Sequence, residues 1–267
     1  MHPKAGSPMM RGSPIPNACR FMATGSAFCP MSGGGRARRT DSRNGSSTLD
    51  KGGGEMSFDG FDPGACAWFA ELAANNRKDW FEAHRATHRE GIVAPMQALM
   101  EEAQARHGGK IKLFRPHRDV RFSKDKSPYH THQRAMLYGL GPMALYAAID
   151  AEGFYAGGGV YGFRPERLAL FRDVVAAEDG AELARRIAAA EAAGCTVEGE
   201  TLKTVPRGYD RDHPRADLLR HKSLILGGRI GAKEAADAAR VRAHALAMWD
   251  AVRPVGDWLL EQMGMPD

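Results

Sequence analysis

"QRAMLYGLGPMALYAAIDAEGFYAGGGVYGF" occupies residues 133–163, and its reading decides the fold. Three short runs, QRAMLYG, MALYAAIDA and GFYAGGGVYGF, are rich in β-favouring residues and are separated by Gly-Pro and Glu-Gly turns. Short strands joined by tight turns predict an antiparallel meander. On the N-terminal side the pattern is helical. Asp62 and Pro63 supply a capping side chain and a first-turn proline, and Trp68, Phe69 and Leu72 then fall on one face until Asn75 and Asn76 stop the helix. A second start at Asp79 leads into Trp80 and Phe81, and Met96, Leu99, Met100 and Ala103 continue the spacing to Gly108, with Pro95 dividing the stretch into two helices.

Beyond the meander, helices are predicted at residues 165–177 and 181–193, the latter ended by Gly194. A further strand covers residues 195–202, and a polar loop then runs into a short helix near Pro214. LILGGRI reads as a strand or an extended connector. A long helical segment from about Lys233, interrupted near Pro254, closes the chain. Helices, then strands, then helices make an α+β fold, an antiparallel β meander flanked by N-terminal and C-terminal helices, with no βαβ repeat.

The charge is unevenly placed. Residues 1–55 hold eight Lys or Arg and three acids, whereas residues 56–267 hold 29 of each sign. The first segment is rich in Gly, Ser and Arg and reads as a disordered tail, without the apolar stretch of a secretory signal, and Met56 is an alternative start for a single α+β domain over 56–267. Four cysteines without a C-x-x-C pair suggest a reduced, cytoplasmic protein, and no apolar window has the length of a membrane span.

Within the neutral body, residues 110–134 carry eight bases and two acids, a local balance of +6. The centre of this block is FRPHRDVRFSKDKSPYHTH, residues 114–132. As an extended strand it would show Asp119, Arg121, Ser123 and Asp125 on one side and Val120, Phe122, Lys124 and Lys126 on the other. A turn at SKDKSPY would let Arg118, Arg121, Lys124 and Lys126 converge on a phosphate or carboxylate, with Asp119 orienting an arginine. The competing reading is an Arg-Asp ion-pair network that pins a hairpin.

Four blocks, NNRKDWF, FRPHRDVRFSKDKSPYHTH, FYAGGGVYGFRPERL and TLKTVPRGYDRDHPRADLLRHKS, resemble in order and spacing a family of conserved hypothetical proteins, domain of unknown function 2461. The resemblance runs from about residue 58 to the C-terminus. It implies one domain and carries no activity with it. If the four blocks surround one cleft, Arg77, Arg118, Arg121, Lys126, Tyr129, Lys203, Arg207 and Lys222 line it.

Other signatures are weaker. Ser123 and Lys126 form a Ser-x-x-Lys outside a helical context and without partner motifs. Residues 157–162, GGGVYG, match a dinucleotide fingerprint literally, but an antiparallel setting argues for glycines that admit a neighbouring backbone or a ligand. His84 with His88, and His130 with His132, have paired spacing without a third ligand, so no metal and no cofactor is expected. The leading expectation is a binder of a phosphorylated or other anionic small molecule. A nucleic-acid binding protein and a non-catalytic interaction module are the alternatives, and exposed aromatics among spread basic residues would favour nucleic acid.

Overall fold

The computed structural model describes residues 57–264; the expected tail lies outside them. Helices α1 (Ala65–Ala74), α2 (Lys78–Ala83) and α3 (Arg85–His88) lead through a π-helical turn (Arg89–Val93) into α4 (Ala94–His107). Strands β1 (Lys110–Leu113), β2 (His132–Tyr138), β3 (Ala144–Asp150) and β4 (Gly153–Val160) follow. Then come α5 (Pro165–Ala176), α6 (Gly180–Ala192), β5 (Thr196–Glu198), α7 (Ala216–Leu219), β6 (Leu224–Gly231), α8 (Ala232–Ala235) and α9 (Ala238–Met263). The six strands form one antiparallel sheet in the order β1-β2-β3-β4-β6-β5. The α+β class and the meander β1 to β4 therefore stand.

Local signals place most boundaries. Asp62 accepts a bond from the Gly64 N–H (2.7 Å) just before α1, and Asn75 ends that helix with its own N–H on the Glu71 and Leu72 carbonyls. Gly108 and Gly194, at φ +76° and +97°, leave α4 and α6 in backbone conformations that a β-carbon disfavours.

Three expectations are corrected. Pro95 does not divide a helix; it sits in the first turn of α4, where a missing N–H does no harm, and the break falls at His84 and the π-helical turn. Pro254 lies inside a continuous α9, because Val252, Val255, Trp258 and Leu259 carry the buried stripe straight past it and outweigh one lost backbone bond. Residues 119–126 are not a strand. The β1–β2 connection is a long loop with a turn at Arg121 and Phe122, closed lower down by the bridge between His117 and Tyr129.

The sheet has two unlike faces. Leu137, Leu145, Ala147, Ile149, Phe154, Ala156, Leu226 and Ile230 project to one side and join the cluster to which the buried apolar side chains of every helix but α3 belong. The register puts Lys112, Arg134, Met136, Tyr138, Tyr146, Ala148, Asp150, Tyr155 and Arg229 on the other side. Ala148, Tyr155 and Ile225 are buried there without belonging to the helical cluster. Nearer the β1 edge this second face opens, and Tyr138 is 41 % exposed.

Candidate functional site

The loop of residues 114–131 is tied down at its root. The Asn76 side-chain amide donates to the Tyr129 carbonyl (2.9 Å) and its oxygen accepts the Tyr129 N–H (3.1 Å), so one asparagine closes both main-chain groups across 53 residues of sequence. The Tyr129 ring stacks on Phe81 at 4.0 Å and is buried, which fastens the loop to α2. Asn76 and Phe81 come from NNRKDWF, so the first two sequence blocks do meet.

Above this root the loop holds itself together. Arg118 donates to Asp125 (2.5 Å) and to the Ser127 carbonyl (3.3 Å). Asp125 also accepts the Ser127 N–H (2.9 Å) and hydroxyl (2.6 Å), and these donors hold its carboxyl far below the usual range. Arg121 and Asp119 form a two-pronged pair with contacts of 3.0 and 2.7 Å, and the guanidinium keeps the Asp119 carboxyl down at about 2. Lys126 donates to the Val120 carbonyl (3.0 Å). Lys124 projects to solvent, as does Ser123 in part. At the tip, Phe122 is 97 % exposed.

Arg118 and Arg121 use both acids of residues 110–134. The other six cations, Lys110, Lys112, Arg115, Lys124, Lys126 and Arg134, have no carboxylate partner among the described residues. Lys112 and Arg134 both lie over the Phe114 ring, at 5.1 and 4.9 Å from its centre. Burial pushes the Tyr146 hydroxyl up, and nearby Arg134 offsets part of that. These residues sit on the second sheet face, beside the loop root.

Two buried or half-buried histidines lie beside these cations. His130 and His132 are neighbours at 5.0 Å. Burial, with Arg134, Arg118 and Arg115 nearby, pushes His130 down to about 4; burial, with Arg134, His130 and Arg118, pushes His132 down to about 3. Both imidazoles are therefore neutral at pH 7. His88 is buried against Trp68 at 5.0 Å, and His84, just before α3, stacks on Trp80 at 4.1 Å, so this pair serves packing. Among the described residues no group of three or more His, Cys, Asp or Glu is placed to hold a metal ion. Burial lifts the Cys195 thiol to about 11, which leaves it without thiolate character at neutral pH.

The remaining predicted residues lie elsewhere. Arg77 caps α2 beside Asn76, exposed, with Asp79 at 3.3 Å. Lys203, Arg207 and Lys222 belong to the connection between β5 and β6, which leaves the sheet where Glu198 pairs with Ile225. The loop of residues 114–131 leaves it at the other end, where His132 pairs with Asp150 and Gly153 with Gly231. At about 3.3 Å per residue the length of β4 puts roughly 20 Å between those ends. Lys222 is paired with Glu200 (2.5 Å), and its carbonyl accepts the Phe163 N–H (3.3 Å), so the third and fourth sequence blocks meet each other.

The glycines of GGGVYG lie largely within β4, in antiparallel pairing with β3 and β6. A β-carbon at Gly157 would collide with the Leu226 carbonyl and lie 2.7 Å from the Gly227 α-carbon, so the neighbour these glycines admit is β6. Tyr155 leans over Gly227, where a β-carbon would lie 2.5 Å from its hydroxyl, and meets Tyr146 edge to face at 6.1 Å.

The sequence model of a family described as conserved hypothetical protein (DUF2461) matches residues 64–258. The chain belongs to this family. The DUF2461 match spans β1 to β6 and both ends of the sheet. No curated protein and no solved structure matches the chain. No helix among the described residues is long and apolar enough to cross a membrane.

Asp150 is the residue that sequence reasoning missed most clearly. Its buried carboxylate takes two bonds from Arg229 (2.7 and 2.9 Å) and the N–H groups of Glu152 and Gly153, joining the β3–β4 turn to β6. Arg134, Tyr138 and Tyr146, which share the second sheet face, were not singled out either. Their period-two spacing in β2 and β3 was the available signal.

Proposed function

We propose that this protein binds an anionic ligand where the β1 edge and the second sheet face meet the root of the 114–131 loop. The observation that carries the reading is the division of labour among the cations of residues 110–134. Arg118 and Arg121 are spent on Asp125 and Asp119 and shape the loop, while Lys112, Arg115 and Arg134 cluster around it without a direct carboxylate ion pair among the described residues, Arg115 feeling Asp119 only at longer range. A protein that gained nothing from that repulsion would place acids there, since like charges brought together destabilise the folded state. Two neutral imidazoles beside the arginines add hydrogen-bonding groups without adding charge.

Charge-assisted bonds contribute roughly 1.5 to 3 kcal/mol each, so two or three of them support binding in the micromolar to millimolar range after ordering costs. The test is a thermal-shift screen of the full chain with phosphate, pyrophosphate, nucleotides, sugar phosphates and dicarboxylates at constant ionic strength. A ligand that binds only the folded state raises Tm. The reading requires at least one anion to do so. It also requires Lys112→Ala and Arg134→Ala to diminish the rise, and Lys203→Ala, at the far end of the sheet, to leave it intact. A nucleic-acid ligand is the second reading, favoured by Phe122 at the loop tip between Arg121 and Lys124.

A further inference from the structure

We infer that the site takes a compact oxyanion, of the phosphate or sulfate type, together with a proton carried by His130, so that binding tightens as the pH falls below neutral. This inference rests on the anion-binding reading above and adds the regulation of the same site. His132 and Arg134 are two residues apart in β2 and so stand side by side on the second sheet face. The loop closes on that pair through two main-chain bonds, from the Phe114 N–H to the Arg134 carbonyl (3.0 Å) and from the His130 N–H to the Pro116 carbonyl (2.7 Å). His130 is thereby held at the loop root, half-buried, with its ring 5.0 Å from that of His132. Lys112 and Arg134 share the Phe114 ring. Donors gathered this closely suit a small ligand whose several oxygens can face all of them, as those of a tetrahedral oxyanion do.

The charge that reaches His130 is positive. Arg115 comes from the loop just past β1, Arg118 from the loop itself and Arg134 from β2, and all three bear on the His130 imidazole. α2 meets the root through Asn76 and Phe81, which carry no charge. The acids of the neighbouring segments are taken: Asp119 by Arg121, Asp125 by Arg118, and Asp150, across from His132, by Arg229. His132 is itself neutral and adds no counter-charge. Burial, reinforced by the three arginines, pushes His130 down to about 4, so the protein alone carries the ring unprotonated in weakly acidic solution.

An oxyanion reverses that balance. It brings the negative charge that the surrounding segments lack and an acceptor for a ring N–H, and both favour the imidazolium. The His130 value then climbs back toward an ordinary 6.5. Coupling is reciprocal, so an anion that helps His130 hold a proton is held more tightly once the proton is there. Above about pH 7.5 neither form carries the proton and nothing is gained; between about pH 6.5 and 4 only the complex carries it, and affinity rises as the pH falls. A neutral ring that merely donates one N–H to the anion would leave affinity flat across the same range.

Isothermal titration calorimetry of the full chain with sulfate and with pyrophosphate, at pH 7.5 and 5.5 and in two buffers of different ionisation enthalpy, reads affinity and proton uptake together. Sulfate keeps its charge over this range, and protons that pyrophosphate exchanges by itself cancel between the native chain and His130→Gln. The expected result is sulfate affinity about five- to tenfold tighter at pH 5.5 than at pH 7.5, with most of one proton taken up per anion at the lower pH. His130→Gln should lose both the gain and the uptake. Binding with no gain and no uptake in the native chain overturns the inference and leaves the anion reading standing, as does a site that takes dicarboxylates but neither oxyanion. A gain kept by His130→Gln and lost by His132→Gln gives the proton to the other ring and overturns the assignment. No response to any anion, in calorimetry or in thermal shift, removes both readings together.

Discussion

Replacing Asn76 with alanine removes a single side chain whose two bonds close the main chain of Tyr129 from a distance of 53 residues. Tyr129 is buried, so its N–H and carbonyl cannot simply turn to water without lifting the ring off Phe81. Two lost bonds amount to about 2 kcal/mol, and main-chain groups left partly buried without partners raise the total to roughly 2–4 kcal/mol. For a folded body of about 200 residues that is a fall in Tm of about 5–10 °C. Differential scanning calorimetry of the full chain at pH 7.5 measures it directly. Asn76→Asp keeps the acceptor for the Tyr129 N–H but sets a carboxylate against the Tyr129 carbonyl, and should be no better than alanine. A fall below about 1 °C for Asn76→Ala would mean that the loop is not held at this point, and the placement of the arginines around the loop root would fall with it.

Other expectations follow from the same geometry. His88, His130 and His132 are held neutral, with folded values near 4, 4 and 3 against an ordinary 6.5, so the unfolded chain binds more protons below that point. Stability should be fully present above pH 6.5 and fall toward pH 4, by up to about 1.4 kcal/mol per pH unit for each histidine, and His88→Gln should make that fall, followed by urea unfolding, shallower, with His107, His221 and His244 also held down and supplying part of what remains. Asp119 and Asp125, whose folded values are depressed instead, lose their contribution only below about pH 4, outside this window. Gly157→Ala should destabilise by on the order of 2–3 kcal/mol through collision with β6, whereas Gly162→Ala, with no heavy atom within 4 Å of its new carbon, should stay within about 0.5 kcal/mol. Equal urea midpoints for those two variants would contradict the account of GGGVYG. Phe122→Ser should leave Tm within about 1–2 °C, since a side chain 97 % exposed supports no packing.

The meander was legible because each strand is short, alternates and ends at a glycine turn, and each pairs with its neighbour in sequence. The middle of the 114–131 loop allowed a strand reading beside the turn at SKDKSPY, because Arg, Asp, Val and Phe alternate there as they do in a half-buried strand. What breaks the strand is local chemistry that periodicity ignores. Asp119 and Asp125 each bond the main chain two residues on, at Arg121 and Ser127, which turns the backbone. The partition of the four sequence blocks into two pairs was hidden for a different reason. It depends on β6 adding beside β4, a pairing across more than sixty residues that no local pattern announces. The choice between a ligand site and an ion-pair network also proved too coarse. Arg118 and Arg121 build the network, and Lys112, Arg115 and Arg134, outside the central motif of the block or at its start, form the surplus.

The central claim is that this surplus holds an anion. The measurement that tests it most directly is the Tm of the full chain in pyrophosphate against chloride at matched ionic strength, for the native sequence and for Lys112→Ala/Arg134→Ala. The account predicts a rise of several degrees that grows with pyrophosphate concentration in the native chain and is largely absent from the double variant. An equal rise in both proteins would place the anion elsewhere, and a double variant more stable than the native chain with no anion response in either would mean that the surplus charge serves no ligand.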